Sequence, residues 1–215
     1  MIGFSGCTNS GKSALASVLA RQLGLEDRGS VEQKLGEKIY NRTNVFSHIY
    51  ETHDRMANFQ EALYREFAYI EEGNYGKNLV TNKTMADVYV YSLIYKDKIT
   101  KDAVNGRATE GYEVSVVTLE DVAKNCKETF TSSNYNCIFF IQRDGKLTKE
   151  EELYQERLTT FFTLNSNNII KLINPTFFEV LNITLEYVNV KPTMRYKDIV
   201  DLQTISGHFK KELGF

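Results

Sequence analysis

Residues 1 to 13 read MIGFSGCTNSGKS, and this stretch decides the fold. Met1 to Phe4 is a short, largely apolar run that predicts a strand entering a glycine turn. Apolar residues then recur at helical spacing from Lys12 to Leu23, which predicts a helix directly after the turn. A strand, a glycine-rich turn and a helix in this order are typical of the start of a βαβ unit.

The turn itself, Gly6 to Ser13, matches the phosphate-binding pattern G-x-x-x-x-G-K-[ST]. Gly6 and Gly11 allow the backbone to aim successive amides inward, and the following helix adds the positive end of its dipole. Lys12 is expected to reach the β- and γ-phosphates of a nucleotide, and the Ser13 hydroxyl is expected to ligate Mg²⁺. The predicted nucleotide-binding residues are Gly6, Thr8, Asn9, Ser10, Gly11, Lys12, Ser13 and Ala14.

The rest of the chain alternates short apolar runs with helical patterns, which is typical of a mostly parallel sheet. Further strands are predicted at residues 78–81, 137–142 and 169–173, and helices at 56–70, 84–95, from 148 and at 176–187. We therefore expect a three-layer α/β fold of the P-loop NTPase type, with a parallel sheet of about five strands. The expected domain covers residues 1–188, and residues 189–215 form a C-terminal extension with a helix at 198–213.

Composition excludes several other classes of protein. The 215 residues carry 26 Lys and Arg against 28 Asp and Glu, a formal net charge of −2, so a dedicated nucleic-acid binder is not expected. Three cysteines and three histidines are too few and too scattered for a disulfide framework or a zinc site. No apolar run approaches the ~18 residues of a membrane helix, and the first residues do not form a signal region. A cytoplasmic protein without membrane contact is therefore expected.

A phosphate-binding loop is common to kinases, GTPases, motors and nucleotide sensors. A GTPase would carry a D-x-x-G switch and an N/T-K-x-D motif. Residues 82–85 read NKTM, with Met85 where that second motif requires Asp. Large motor machines require a longer chain, so a small kinase with a closing lid fits best.

Residues 79–91, LVTNKTMADVYVY, are similar to a strand-end pattern of thymidylate-kinase-like and nicotinamide-riboside-kinase-like ATP-binding domains, many of them encoded by bacteriophages. That pattern is apolar-apolar-x-D-R-[ST]-x-x-D-x-x-x-Y. A second stretch, residues 135–157, resembles the strand, D-G-x-R turn and acidic helix of their lid. The resemblance implies an ATP- and Mg²⁺-dependent kinase of nucleotide metabolism that acts on a nucleoside or nucleoside monophosphate, in the host cytoplasm if the protein is viral.

The resemblance also implies roles for individual residues. Asn82 and Lys83 occupy the positions of the family's Asp and Arg, and a lysine keeps the charge but loses the bidentate fork. Asp87 matches the pattern and is expected to orient the acceptor or Lys83; a solvated charge on an exposed helix face is the alternative. The lid arginine has no counterpart, and Arg143 or Lys146 stands in for it. The predicted catalytic residues are Lys12, Lys83, Asp87 and Arg143.

Three further positions are open at this point. Asn136 stands where the second stretch commonly carries Asp, which adds to the departures from the family. Tyr91 matches the family's tyrosine, with core packing as the alternative to substrate stacking. Residues 174–177 fall where such kinases contact adenine, although a helix cap alone also explains them.

Two other functions compete with a small-molecule kinase. One is a kinase whose acceptor is a polynucleotide end or a modified base, which the near-neutral charge disfavours. The other is a non-catalytic module that binds ATP as a switch or partner platform, which the loss of the strand-end carboxylate favours. Residues 198–213 are a candidate contact for a homodimer.

Overall fold

The computed structural model describes residues 1–7, 10–41, 49–73, 78–130, 134–166 and 168–191. The elements in chain order are β1 (Ile2–Gly6), α1 (Lys12–Leu23), β2 (Glu26–Asp27), α2 (Val31–Tyr40), α3 (His53–Glu72), β3 (Leu79–Thr81), α4 (Met85–Val104), α5 (Tyr112–Thr129), β4 (Cys137–Gln142), α6 (Lys149–Asn165), β5 (Ile169–Ile173) and α7 (Phe177–Tyr187). The predicted C-terminal helix at 198–213, and with it the candidate dimer contact, lies outside the described residues.

The five strands form one sheet in the order β2-β3-β1-β4-β5, and every neighbouring pair is parallel. β1 lies at the centre and pairs with β4 from Ile2 opposite Cys137 to Gly6 opposite Ile141. All strands therefore end at the same edge of the sheet, which we call the carboxyl edge. The predicted α/β fold with a parallel sheet of five strands is confirmed.

Helices pack on both faces of the sheet because successive side chains of a strand point to opposite faces. Phe139 of β4 stacks on Phe4 of β1, with ring centroids 5.5 Å apart, in a core that includes Phe177 and the apolar residues of α1. The next residue, Phe140, points the other way, and its ring lies 5.3 Å from that of Phe162 of α6. Burial of these aromatic rings contributes about 2 kcal/mol each to folding.

The chain forms two compact units. The sheet unit comprises residues 1–30, 74–84 and 131–215, and it contains all five strands with α1, α6 and α7. The helical unit comprises residues 31–73 and 85–130, and it contains α2, α3, α4 and α5. The boundary expected between residues 188 and 189 stays a prediction.

The helical unit differs most from the sequence-based expectation. α4 continues to Val104, beyond the expected end near Tyr95, because Ile99 extends its buried stripe. α5 falls in a stretch where no element was predicted. It buries Leu119 and Val122 together with the small side chains of Ser115, Ala123 and Cys126. Within the described ranges, the helices are all too short or too polar to cross a membrane.

Candidate functional site

The turn after β1 is fixed by the conformation of its two glycines. Gly6 has φ 140°, and a Cβ atom there would lie 2.2 Å from the carbonyl oxygen of Ile141 on the neighbouring strand. Gly11 has φ 77° and is the left-handed residue that precedes α1. Both values are available to glycine at little cost and strain other residues. The backbone of this loop therefore requires the glycines of the sequence motif.

Lys12 lies inside this loop. Its ammonium donates to the carbonyl oxygens of Gly6, at 2.7 Å, and Cys7, at 2.5 Å, and to Ser10 Oγ at 3.1 Å. The side chain is only 7% exposed, so its charge is held at the carboxyl edge by loop oxygens. An anion that enters the loop meets an ammonium already in position, which can exchange carbonyl oxygens for phosphate oxygens.

The first turn of α1 contacts the end of β3. Asn82, the first residue after β3, donates from Nδ2 to Ser13 Oγ over 2.8 Å. Asn82 is buried, whereas Ser13 is exposed at the start of α1. The structure thus brings the strand-end amide to the hydroxyl that the motif assigns to Mg²⁺. Ala14, which follows, is fully buried in the core.

Hydroxyl groups fix the turn that follows β3. Thr81 Oγ1 donates to the Lys83 carbonyl at 2.5 Å, and Thr84 Oγ1 lies 2.9 Å from Ser5 Oγ of β1. The backbone of Lys83 is therefore held beside the central strand, and its side chain is half-buried. Lys83 thus follows β3 at the carboxyl edge, and its catalytic role stays a prediction.

Asp27, the last residue of β2, is a carboxylate that no sequence pattern indicated; in the sheet it lies level with Val80 of β3 and Ile2 of β1. It accepts from Ser17 Oγ at 2.6 Å through Oδ2, and accepts from the Gly29 amide at 2.7 Å through Oδ1. Ser17 lies one helical turn after Ser13 on α1, so the two serines share a face of the helix. On that face, Ser13 contacts Asn82 and Ser17 contacts Asp27.

The loop between β4 and α6 carries the candidate lid cations. The Arg143 guanidinium lies 3.5 Å from Glu151 Oε1. Glu151 closes a capping box with Thr148, and the hydrogen bond from the Thr148 amide is the main cause that lowers the pKa of this carboxyl. Asn174, after β5, accepts from the Asp144 amide at 2.7 Å. Lys146 is exposed in the same loop.

No family model matches this chain, and no curated protein matches it. Among solved structures it is similar to the deoxyadenosine kinase from M. mycoides, determined with bound dCTP. The TM-score is 0.57 at 12% sequence identity, over 87% of this chain and 98% of that chain. The fold is shared with a nucleoside kinase. At this level of identity the similarity concerns the fold, so the chemistry has to follow from this chain's own residues.

Asp87 belongs to the helical unit, where it lies in the first turn of α4. It is 0% exposed, so the alternative of a solvated charge on an exposed helix face is wrong. At the start of the same helix the Met85 amide donates to Glu71 Oε1 at 3.0 Å. A buried carboxylate at a helix N-terminus is favoured by the helix dipole. Its catalytic role stays a prediction.

Tyr91 belongs to the helical unit, and Asn136 lies at the amino edge of the sheet. Tyr91, in the helical unit, stacks on Tyr95 with centroids 5.7 Å apart, and Tyr95 shares a 2.6 Å hydroxyl hydrogen bond with Tyr50. Burial raises the pKa of Tyr95 well above its usual value. Asn136 precedes β4, at the amino edge of the sheet, where its Oδ1 accepts from the amino group of Met1 at 2.8 Å. Asn136 therefore does not contribute to the loop site.

The described residues contain no cluster of three His, Cys, Asp or Glu side chains that would hold a metal by themselves. Mg²⁺ is commonly held by few protein oxygens together with phosphates and water. The Ser13 hydroxyl oxygen fits that mode of binding, whereas Asn82 faces it with its amide nitrogen, which donates to Ser13 and is not a metal ligand. Thr8 and Asn9, both predicted to contact the nucleotide, lie outside the described residues.

Proposed function

We propose that this protein binds ATP with Mg²⁺ at the loop from Gly6 to Ser13 and transfers the γ-phosphoryl group to a nucleoside or nucleoside monophosphate. One observation carries the proposal: the Lys12 ammonium is held inside a glycine-shaped loop whose Ser13 contacts the end of the neighbouring strand through Asn82. The fold shared with a nucleoside kinase supports the same class of reaction.

The loop and α1 bind the phosphates. Amides at the start of α1 point towards the carboxyl edge, where the helix dipole favours an anion. Lys12 exchanges its loop carbonyl partners for oxygens of the β- and γ-phosphates. Ser13 presents its hydroxyl oxygen to Mg²⁺, which when bound neutralises phosphate charge.

Two cations flank the loop and counter the charge of the transferring group. Because β1 lies between β3 and β4, residues that follow these two strands lie on either side of the loop after β1. Lys83 follows β3, and Arg143 follows β4 directly. Phosphoryl transfer depends mainly on positioning and charge neutralisation, so two such groups can support it without a long lid.

Asp27 is the group to which we assign the proton of the acceptor hydroxyl. Asn82, where the family pattern has a carboxylate, cannot accept a proton at neutral pH. Asp27 ends the strand next to β3 and is held by Ser17 and Gly29. The role of Asp87 in orienting the acceptor stays a prediction.

A module that binds ATP without transfer is the second candidate. It is favoured by the amide of Asn82 at the strand end, which brings no negative charge to the metal. Such a module would bind ATP tightly and convert no acceptor.

The test is transfer from γ-labelled ATP to a panel of nucleosides, nucleoside monophosphates and short oligonucleotides. Lys12→Ala should lower the rate of transfer by roughly 100-fold or more, because it removes charge stabilisation of the transferring group. Lys171→Ala, which removes an exposed lysine of β5, is the matched control and should leave the rate unchanged. A labelled oligonucleotide would instead indicate the polynucleotide kinase. Bound ATP with no labelled product would favour the binding module, and no ATP binding would contradict both.

The role of Asp27 has its own readout. Asp27→Asn keeps the shape and the contact with Ser17 but cannot take a proton, so we expect kcat to fall by roughly 100-fold. The KM for ATP should change little, since Asp27 does not touch the phosphate loop. A rise in the KM for ATP as large as the fall in kcat, together with weaker ATP binding, would show a structural role instead.

A further inference from the structure

Gln155 of α6 joins the loop after β4 to its helix through both ends of its side-chain amide. Its Oε1 accepts from the Arg143 amide at 2.8 Å, and its Nε2 donates to the Arg143 carbonyl at 3.0 Å. Both bonds go to the main chain of Arg143, which is how a neighbouring strand would bind it. The main chain of Arg143 is therefore held as β4 ends, where the next residues leave the sheet.

The same amide oxygen faces the phosphate-binding loop. The Cys7 thiol lies 3.7 Å from Gln155 Oε1 and 3.6 Å from the carbonyl oxygen of Glu151, within the range of weak S–H hydrogen bonds. Cys7 is fully buried and directly follows Gly6. One helix face of α6 thus contacts both the loop that holds Lys12 and the loop that carries Arg143.

The side chain of Arg143 is oriented by the same face of α6. Its guanidinium lies 3.5 Å from Glu151, one turn before Gln155. Glu151 is itself fixed by the Thr148 amide at 2.9 Å. Arg143 remains partly exposed, so its guanidinium can also meet a solvent-borne anion.

We propose that Gln155 is the positioning residue that sets Arg143 against the γ-phosphate of ATP in the neighbouring loop. This inference rests on the proposed ATP-binding function and adds a residue that works through Arg143. Only an amide side chain supplies a permanent donor and a permanent acceptor at one end, which the carbonyl and amide of Arg143 require together. A preset arginine needs no long mobile lid, which agrees with the short connection between β4 and α6.

The test compares affinities for ATP and ADP, because a cation aimed at the γ-phosphate changes their ratio. Gln155→Leu should lower the ATP-to-ADP preference by about tenfold, as Arg143→Met does. In the Arg143→Met background, Gln155→Leu should have little further effect on this ratio. Glu156→Leu, at the exposed neighbouring position on α6, is the matched control and should leave the ratio unchanged.

A second variant, Gln155→Glu, tests the inference through the pH dependence of a single protein. In Gln155→Glu the neutral acid restores one donor and one acceptor, whereas the ionised carboxylate faces the Arg143 carbonyl without a proton to donate. Among the described residues, the titratable or charged groups that contact this network are Cys7, Arg143 and Glu151, with Lys12 bonded to the Cys7 carbonyl. The ATP preference of this variant should rise as pH falls through its carboxyl pKa, relative to wild type.

The outcomes separate the inference from the proposed function. An unchanged preference in Gln155→Leu, or a full additional loss in the Arg143→Met background, would overturn the positioning role while ATP binding stands. A flat pH response of Gln155→Glu relative to wild type would do the same if Gln155→Leu did not fold. A wild-type protein that binds no ATP would refute the proposed function, and the inference with it.

Discussion

The loop after β1 and the loop after β4 lie side by side at the carboxyl edge but are built differently. The loop after β1 is shaped by backbone conformation, with φ 140° at Gly6 and φ 77° at Gly11. The loop after β4 is held by side chains, through Gln155 on Arg143 and Asn174 on Asp144. The comparison shows that the first loop depends on residue types at fixed spacing, whereas the second depends on partners far along the chain.

The largest expected effect comes from changing the backbone of the first loop. Gly6→Ala would place a Cβ atom 2.2 Å from the Ile141 carbonyl oxygen, so β1 and β4 would have to move apart. We expect the free energy of unfolding to fall by about 4 kcal/mol, measured by urea denaturation.

Gly24→Ala separates the clash from the cost of positive φ. Gly24 has φ 64°, and a Cβ atom there would meet no atom within 4 Å. The loss of stability should be about 1 kcal/mol. Equal losses in the two variants would show that the contact with Ile141 does not shape the first loop.

The next effect concerns the contact between α1 and the end of β3. Asn82→Asp would place a carboxylate beside Ser13, and a charged oxygen ligand raises affinity for a divalent cation. We expect the Mg²⁺ concentration for half-maximal ATP binding to fall by about tenfold, measured by a fluorescent-nucleotide titration.

Asn78→Asp is the matched control for this prediction. Asn78 is exposed just before β3, at the amino end of the strand, so the same change of charge falls away from the carboxyl edge. It should leave the Mg²⁺ dependence unchanged. A similar shift in both variants would show a general effect of net charge and contradict a specific metal position next to Ser13.

The parts of the fold built from local patterns were predictable from the sequence. The bounds of β4 and β5 agree with the apolar runs at 137–142 and 169–173, and both capping boxes form as predicted. β2 was not identified because it has only two residues, Glu26 and Asp27, and both are acidic. A strand that short has no periodicity, and its position is fixed by pairing with β3.

The candidate site likewise has parts that were predictable from the sequence and parts that were not. Glycine and lysine spacing predicted the backbone of the first loop and the place of Lys12, although its ligand-binding role stays a prediction. The contacts of Asn82 with Ser13 and of Asp27 with Ser17 join residues 69 and 10 positions apart, which a single sequence does not pair. The paired serines at 13 and 17 on one face of α1 are the signal that would have directed attention to this edge.

The smallest expected effect concerns the side-chain contacts that hold the loop after β4, and how the stability that they contribute depends on pH. Thr148→Ala removes the cap of α6 and should cost about 1 kcal/mol of unfolding free energy at neutral pH. The hydrogen bond from the Thr148 amide chiefly lowers the pKa of Glu151 from its ordinary value of 4.5, so the stabilisation by the Glu151 carboxylate is present above that value and lost as pH falls through the lowered pKa. Thr148→Ala keeps the Thr148 amide, so the pH-dependent part is tested by Glu151→Gln: the difference in stability between wild type and Glu151→Gln should shrink in acid, measured by urea denaturation at two pH values. The deficit of Gly6→Ala should persist there, because a clash between backbone atoms does not titrate. A Glu151→Gln deficit of the same size at both pH values would mean that the charge of Glu151 does not hold the loop after β4.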